Sequence, residues 1–486
     1  MPDLVTWAAG LTWAEIPEPV RAAARHRLLD GLGCLIAGVR RAEAPAAAKV
    51  ARSLGGPPEA TLFGHVGTGP TEATLSGQAG ARSARGDRVA AIGSATAADR
   101  HEPGTADALR DPIRIGAAAA AFGNAVAMHA LDFDDTHATG LVHATAVTAP
   151  VALALAEQTG ASGEQLLAAY TAGLEVVCRL GAAAPHAFHA RGVHATSACG
   201  TIAGAVVAAR LLGLDAATTV HAAGIAASGS SGLLEFLHTG GSTKQLHPGF
   251  AAHSGIVAAR LAAAGATGPA GFLDGTNGLF AALAGRTPDA ETLHGGLGDR
   301  WEAERITVKP YPACRLSHAA IDAAALLRRD VDVARITALV VRLHPDALPI
   351  VGGDTLPSTP YAAKFSAAWC VAAMLLDGAL PVEVFDDPFR PDIVALARRV
   401  AIEPLRQDVP TAAADAPGRL RAQLAHGGVR EVGVPRCGGG ADDPGLDDLL
   451  VAKARANLGE RADAVLAALA ALPTAPDVKE LVTCLA

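Results

Sequence analysis

From His129 to His143 the chain sets three aspartates (Asp132, Asp134, Asp135), two threonines (Thr136, Thr139) and a third histidine, His137, in surroundings of Ala, Val and Gly. Anionic groups buried among apolar neighbours cost on the order of several kcal/mol unless partners satisfy them. Crowded carboxyls also push one another's pKa values apart, as acid–base catalysis requires. This segment is the leading candidate site, and the competing reading is a helix end with solvated acids. Asp132, Asp134, Asp135, His137 and His143 are acceptable metal ligands, but no H-E-x-x-H spacing accompanies them, so no metal is expected. The D-x-D-D pattern at 132–135 also occurs in terpene-protonating cyclases, whose pockets need aromatics; at 4% aromatic content that chemistry ranks low.

Three further islands carry polar chemistry. Arg191 and His194 precede a helical pattern at 197–212. A helix N-terminus offers free N–H groups and a positive dipole end, so this pair suggests carboxylate recognition, against a plain N-cap at Thr196. In Gly240-Gly241-Ser242-Thr243-Lys244-Gln245-Leu246-His247-Pro248-Gly249, glycines at both ends suit a backbone that turns close to a ligand. Lys244 there is a point charge for a carboxylate or, desolvated, a general acid; the alternative is a surface loop. The stiff stretch from Lys309 to His318 contains two prolines and holds Lys309 either in position or in solvent.

The elements that must position these groups are mostly helical. Half of the 486 residues are hydrophobic, and 53 Gly and 30 Pro divide them into many short elements. Helical periodicity runs over 115–131, 144–158, 163–179, 197–212, 215–228 and 250–264, with glycine stops at Gly160, Gly213 and Gly265. From 304 the texture changes to β-branched alternation at 305–309 and 336–344. Further strands are expected at 398–402 and 419–425, and helices at 319–328 and 366–377. The fold class expected is mainly α: a large all-helical bundle over 1–303 and 443–486, with a smaller α+β lid inserted at 304–442 and a cleft between them. The stretch 65–112 reads as a long loop or insertion.

A net charge of −8, with Arg and Lys scattered, gives no reason to expect nucleic acid or an anionic membrane. Seven dispersed cysteines form no C-x-x-C pair, which points to reduced thiols in the cytoplasm. The first ten residues lack a basic stretch followed by an apolar run, so no signal peptide is expected.

Five segments in order, AMHALDFDDTH (127–137), RGVHATSACG (191–200), GSTKQLHPG (241–249), VKPYPACRLSH (308–318) and AKFSAAWCVA (363–372), resemble the MmgE/PrpD family, which includes 2-methylcitrate dehydratase, cis-aconitate decarboxylase and iminodisuccinate epimerase. The resemblance covers most of the chain. It implies a helical domain with an α+β lid, a homodimer, catalysis without a cofactor and a small polycarboxylate substrate. By position Asp132, Thr136, His143 and Lys244 take catalytic roles, while His194 and Lys309 bind substrate with Arg191, Tyr311 and His318 as additions. The reaction implied is proton exchange next to a carboxylate. A 2-methylcitrate dehydratase-like hydro-lyase is the first expectation; a decarboxylase, an epimerase and a non-catalytic binding protein are the alternatives. The chain departs from the family pattern at His143-Ala144-Thr145, where His-Pro-Ser is frequent. It also has Trp369 where relatives often carry a tyrosine, and its 65–112 stretch is longer.

Overall fold

The computed structural model describes residues 3–64, 112–239, 241–353, 356–406, 409 and 412–486. The expected 65–112 insertion, apart from Pro112, lies outside them. Helices occupy Glu18–Gly38, Ala117–His129, Thr145–Thr159, Gly163–Ala182, Ala195–Leu211, Ala216–Ser228 and Thr243–Ala263. Local chemistry fixes their ends. Ser162 and Gln165 form a reciprocal capping box, and the Asp215 carboxylate accepts from the Thr218 amide at 2.7 Å. Gly160 and Gly213 adopt φ of 67° and 72°, conformations that end a helix at little cost only for glycine.

Small side chains let these helices pack backbone to backbone. A Cβ on Gly255 would sit 2.7 Å from the Ala205 nitrogen, so helices Ala195–Leu211 and Thr243–Ala263 can touch only with glycine there. Helix Thr243–Ala263 starts earlier than the periodicity implied. The expected glycine-flanked loop around Lys244 is instead its first two turns, with Pro248 inside the helix. Packing of the surrounding apolar face carries the helix through Pro248 against proline's local preference.

Among the described residues two large hydrophobic cores and one small cluster form. The larger core unites the N-terminal helices with residues from Ala454 to Leu485, the smaller joins Ala138 to residues from Ala313 to Ala422, and Val308, Leu446 and Leu450 make the small cluster. The smaller core lies against a four-stranded sheet whose spatial order is Val400–Pro404, Ile336–Leu343, Gly418–Leu424, Val429–Val434. Its first pair is parallel and the others antiparallel. Val429–Val434 is largely exposed and carries Arg430 and Glu431, which explains why no alternation announced it. The strand expected at 305–309 shortens to Ile306–Thr307. It pairs with Thr136–His137 rather than with that sheet, in the register Thr136↔Thr307. Pro310 stops it, and the Val308 amide donates to the Gly439 carbonyl instead. This pairing draws the Lys309 segment onto the aspartate-rich loop. No helix among the described residues is long and apolar enough to cross a membrane.

Candidate active site

Helix Ala117–His129 ends at the loop that bears the aspartates. Asp132 has φ of 52°, a left-handed conformation uncommon outside glycine and most tolerated by Asn and Asp. Its carboxylate, 1% exposed, receives the Lys244 ammonium from the first turn of Thr243–Ala263 and faces Lys309 Nζ at 3.2 Å. Lys309 also donates to the Asp132 main-chain carbonyl at 2.9 Å. Burial alone would raise the Asp132 pKa, but the charges of Lys244 and Lys309 hold it well below the usual carboxylate range. Three residues distant in sequence thus meet in one ion cluster.

His143 completes it. Its Nδ1 lies 2.7 Å from the Asp135 carbonyl, which can only accept, so Nδ1 carries the proton and Nε2 is left as a base. Lys244 Nζ stands 3.5 Å from that Nε2. Burial, followed by the charge of Lys244, pushes the His143 pKa well down, so the ring is neutral near pH 7. Thr136 Oγ1 lies 3.3 Å from His143 Nδ1. His194 occupies the position before helix Ala195–Leu211, paired with His247 at 3.0 Å between their Nδ1 atoms. Burial and His247 lower its pKa well below the ordinary histidine value.

These groups border a chamber that contains Asp132, Thr136, His143, His194, Lys244 and Lys309 in its walls. It brings together six of the nine residues nominated from sequence. The other three do not reach it. Arg191 is exposed and lies over Gly285, because the turn at Gly192, φ 74°, leads the chain away before His194. Tyr311 donates its hydroxyl to Asp322 at 2.6 Å, and buried His318 sits 3.0 Å from the Ala313 carbonyl, so both serve the smaller core's edge. Trp369 is buried in that core and donates to the Pro388 carbonyl at 3.0 Å, so its exchange for tyrosine does not remove a phenol from the chamber.

His129, Asp134 and Asp135 of the candidate segment take supporting positions, while Thr145, Tyr170 and Lys453 are residues that the sequence reading missed. His129 Nδ1 bonds both oxygens of Asp134, at 2.8 and 2.9 Å, while its buried Nε2 has no hydrogen-bond partner. Behind the loop, Asp135 meets Thr145, whose hydroxyl is 2.7 Å from the Tyr170 hydroxyl; burial raises the Asp135 pKa to about 7. Lys453, from the C-terminal helix Leu446–Leu458, ties Asp30 to the carbonyls of Phe133 and Lys309. The acidic crowding at 132–135 signalled the loop, but nothing near Lys453 in sequence signals its destination.

Among the described residues, the group able to hold a metal ion is His129, His143 and His194, whose ligand atoms lie within 4.8 Å of one another. The aspartates weighed as ligands from sequence are committed elsewhere, to lysines, His129 and Thr145. A dication at the imidazoles would sit close to the Lys244 ammonium, an arrangement that charge opposes.

Comparison with known proteins agrees with this architecture. The chain is 26% identical to the cis-aconitate decarboxylase of Aspergillus terreus over 423 residues, 82% of this chain and 77% of that protein. It is 32% identical to human cis-aconitate decarboxylase over 305 residues, 60% of this chain and 62% of the relative. The cis-aconitate decarboxylase-like protein oryM of Aspergillus oryzae is 27% identical over 412 residues, 79% of this chain and 75% of its own length. The sequence model of the MmgE/PrpD N-terminal domain matches residues 2–76 and 74–291, and that of the C-terminal domain matches 311–471. With nearly its whole length matched and its charged groups gathered at one cleft, the chain belongs to the MmgE/PrpD family.

Proposed function

We propose that this protein is a carboxy-lyase acting on a small polycarboxylate of the cis-aconitate type, with residues 304–442 as the lid over its chamber. One observation carries the reading: Lys244 links the buried Asp132 carboxylate to the free Nε2 of a neutral His143. That unit can hold a substrate carboxylate and move a proton at a neighbouring carbon. In the decarboxylation, the bond from carbon to the departing carboxylate breaks and its electron pair forms a new C=C bond. The pair of the original double bond takes a proton at the far carbon, delivered by Lys244 or through His143, and CO2 leaves. Solvent then restores the proton to the enzyme. Relatives named as cis-aconitate decarboxylases support this reaction ahead of the dehydration first expected.

The hydro-lyase reading keeps support from the same contact, since a neutral imidazole beside an ammonium pairs a base with an acid for elimination of water. Incubation with cis-aconitate, citrate and 2-methylcitrate, followed by proton NMR and CO2 release, separates the two. CO2 from cis-aconitate is expected, and an unsaturated acid from 2-methylcitrate without CO2 would favour the hydro-lyase. Asp132→Asn and His143→Ala should abolish turnover with the circular dichroism unchanged. If no such acid is turned over or bound, the lyase reading is lost. Phe250, Val257 and Leu261, exposed along one stripe of helix Thr243–Ala263, support the homodimer that the resemblance implies.

A further inference from the structure

The charged residues of the chamber form one compact cluster, and most of the remaining wall is hydrocarbon. Leu141, Leu234, Leu237, Leu316, Ile350 and Phe365 all border the same space. They come from separate parts of the fold. Leu141 sits in the bridge after Thr136–His137, in a left-handed conformation with φ of 50°. A branched residue held there is strained, and surrounding packing must over-determine it. Leu234 and Leu237 are fixed above the chamber by a short turn, in which the Leu234 amide donates to the Gly192 carbonyl and the Leu237 amide to that of Leu234, each at 2.9 Å. Leu316, Ile350 and Phe365 approach from the smaller core, and the Phe365 ring lies 5.3 Å from Lys244 Nζ.

Charge in the chamber is limited in the same way. Lys244 and Lys309 share Asp132, so the three together leave one net positive charge. His143 and His194 are held neutral by burial near pH 7. Arg315 also borders the chamber; its Nη1 donates to the Gly438 carbonyl at 2.8 Å, while its buried Nε and Nη2 have no hydrogen-bond partner among the described residues, so it adds a second positive charge for a carboxylate head beside the apolar wall. A carboxylate pressed against the leucine and phenylalanine wall would lose its water and gain no donor. A hydrocarbon chain there would be stabilised by burial.

We propose, resting on the lyase reading above, that the substrate is a polycarboxylate carrying an apolar arm of several carbons. The ionic cluster holds the carboxylate head, and the wall of Leu141, Leu234, Leu237, Leu316, Ile350 and Phe365 takes the arm. Such a ligand satisfies both kinds of wall at once, whereas an unsubstituted polycarboxylate leaves the apolar portion unused.

Binding of succinate, propylsuccinate and hexylsuccinate to the full chain, measured by calorimetry, tests this without any need for turnover. The dissociation constant should fall about threefold to fourfold per added methylene until the wall is filled. Leu237→Gln and Phe365→Ser, each checked for fold by circular dichroism, should flatten that dependence on chain length. Equal or weaker binding of the longer arms by the unaltered protein would overturn the proposal, whether or not a variant folds. Turnover of cis-aconitate alongside a preference for short ligands would leave the lyase reading standing and remove the arm. Tight binding of the long arms without any turnover would do the reverse.

Discussion

Lys309 grips Asp132 twice, donating to its main-chain carbonyl at 2.9 Å and facing its carboxylate at 3.2 Å. The second contact is electrostatic; the first fixes the backbone of a residue in left-handed conformation. One lysine therefore sets both where the carboxylate is and how it is charged. The short pairing of Ile306–Thr307 with Thr136–His137 makes this possible by delivering Lys309 to the loop.

Lys309→Met should lower kcat/KM by at least about 100-fold, the usual effect of losing one preorganised charge at a reacting centre. Stability should drop as well, toward the lower end of the roughly 3–5 kcal/mol seen when a buried ion pair is broken, because Lys244 still answers the carboxylate. Steady-state kinetics and urea denaturation measure the two effects. Unchanged kinetics with lost stability would make Lys309 a purely structural residue.

Stability should respond to pH through Asp135. Burial raises its pKa to about 7, so the folded protein keeps a proton that the unfolded chain releases near 4. Its contribution is full below the unfolded pKa and declines as pH rises from about 4 to about 7, by at most about 1.4 kcal/mol per pH unit. The buried histidines act in the opposite sense. His189 and His247 are lowered by burial to about 3 and about 4, so stability from them is present above the unfolded histidine pKa and lost as pH falls. Asp135→Asn isolates the first term: its stability relative to the parent should grow between pH 4 and pH 7 and then level off. A constant difference in thermal midpoint across that range would show that Asp135 is ionised throughout.

Much of the site was legible because catalysis concentrates polar residues where the rest of the chain is apolar. Asp132, His143, His194, Lys244 and Lys309 stand out against Ala, Val and Gly, and each borders the chamber. The helices were legible for the related reason that periodicity and glycine stops are local signals. Direction was not. Arg191 and His194 lie three residues apart, yet Gly192 turns one outward and the other inward. Tyr311 and His318 share a motif with Lys309 but turn to the edge of the other core, Tyr311 onto Asp322 of the helix His318–Asp330 and His318 at that helix's start. The helical start at Thr243 was hidden by Pro248, and the apolar wall by the ordinariness of leucine in a hydrophobic chain.

Chelation bears on the histidine cluster. Protein dialysed against EDTA should keep its activity, since Lys244 beside His143 opposes a dication at His129, His143 and His194. Loss of turnover on chelation, with recovery on adding zinc, would instead assign those imidazoles to a metal and recast Asp134 as the partner that orients His129.

Lys453 shows how the C-terminal segment controls a site it does not border. Its ammonium meets Asp30 at 2.6 Å, the carbonyls of Phe133 and Lys309 at 2.6 and 3.1 Å, and the Phe133 ring at 3.8 Å. Both strands of the ion cluster are thus pinned from behind. Lys453→Met should destabilise the fold by about 3–5 kcal/mol, because Asp30 is left buried with a charge and two carbonyls lose their donor. Turnover should fall mainly in kcat, with KM little altered, as the Asp132 and Lys309 backbones loosen relative to each other. Adding Asp30→Asn to Lys453→Met should recover part of the stability, though not all, since Arg27 then loses one of the two carboxylates that answer it. Recovery of stability without recovery of kcat would assign Lys453 to positioning. Recovery of both would mean that the Asp30 charge alone disturbs the loop.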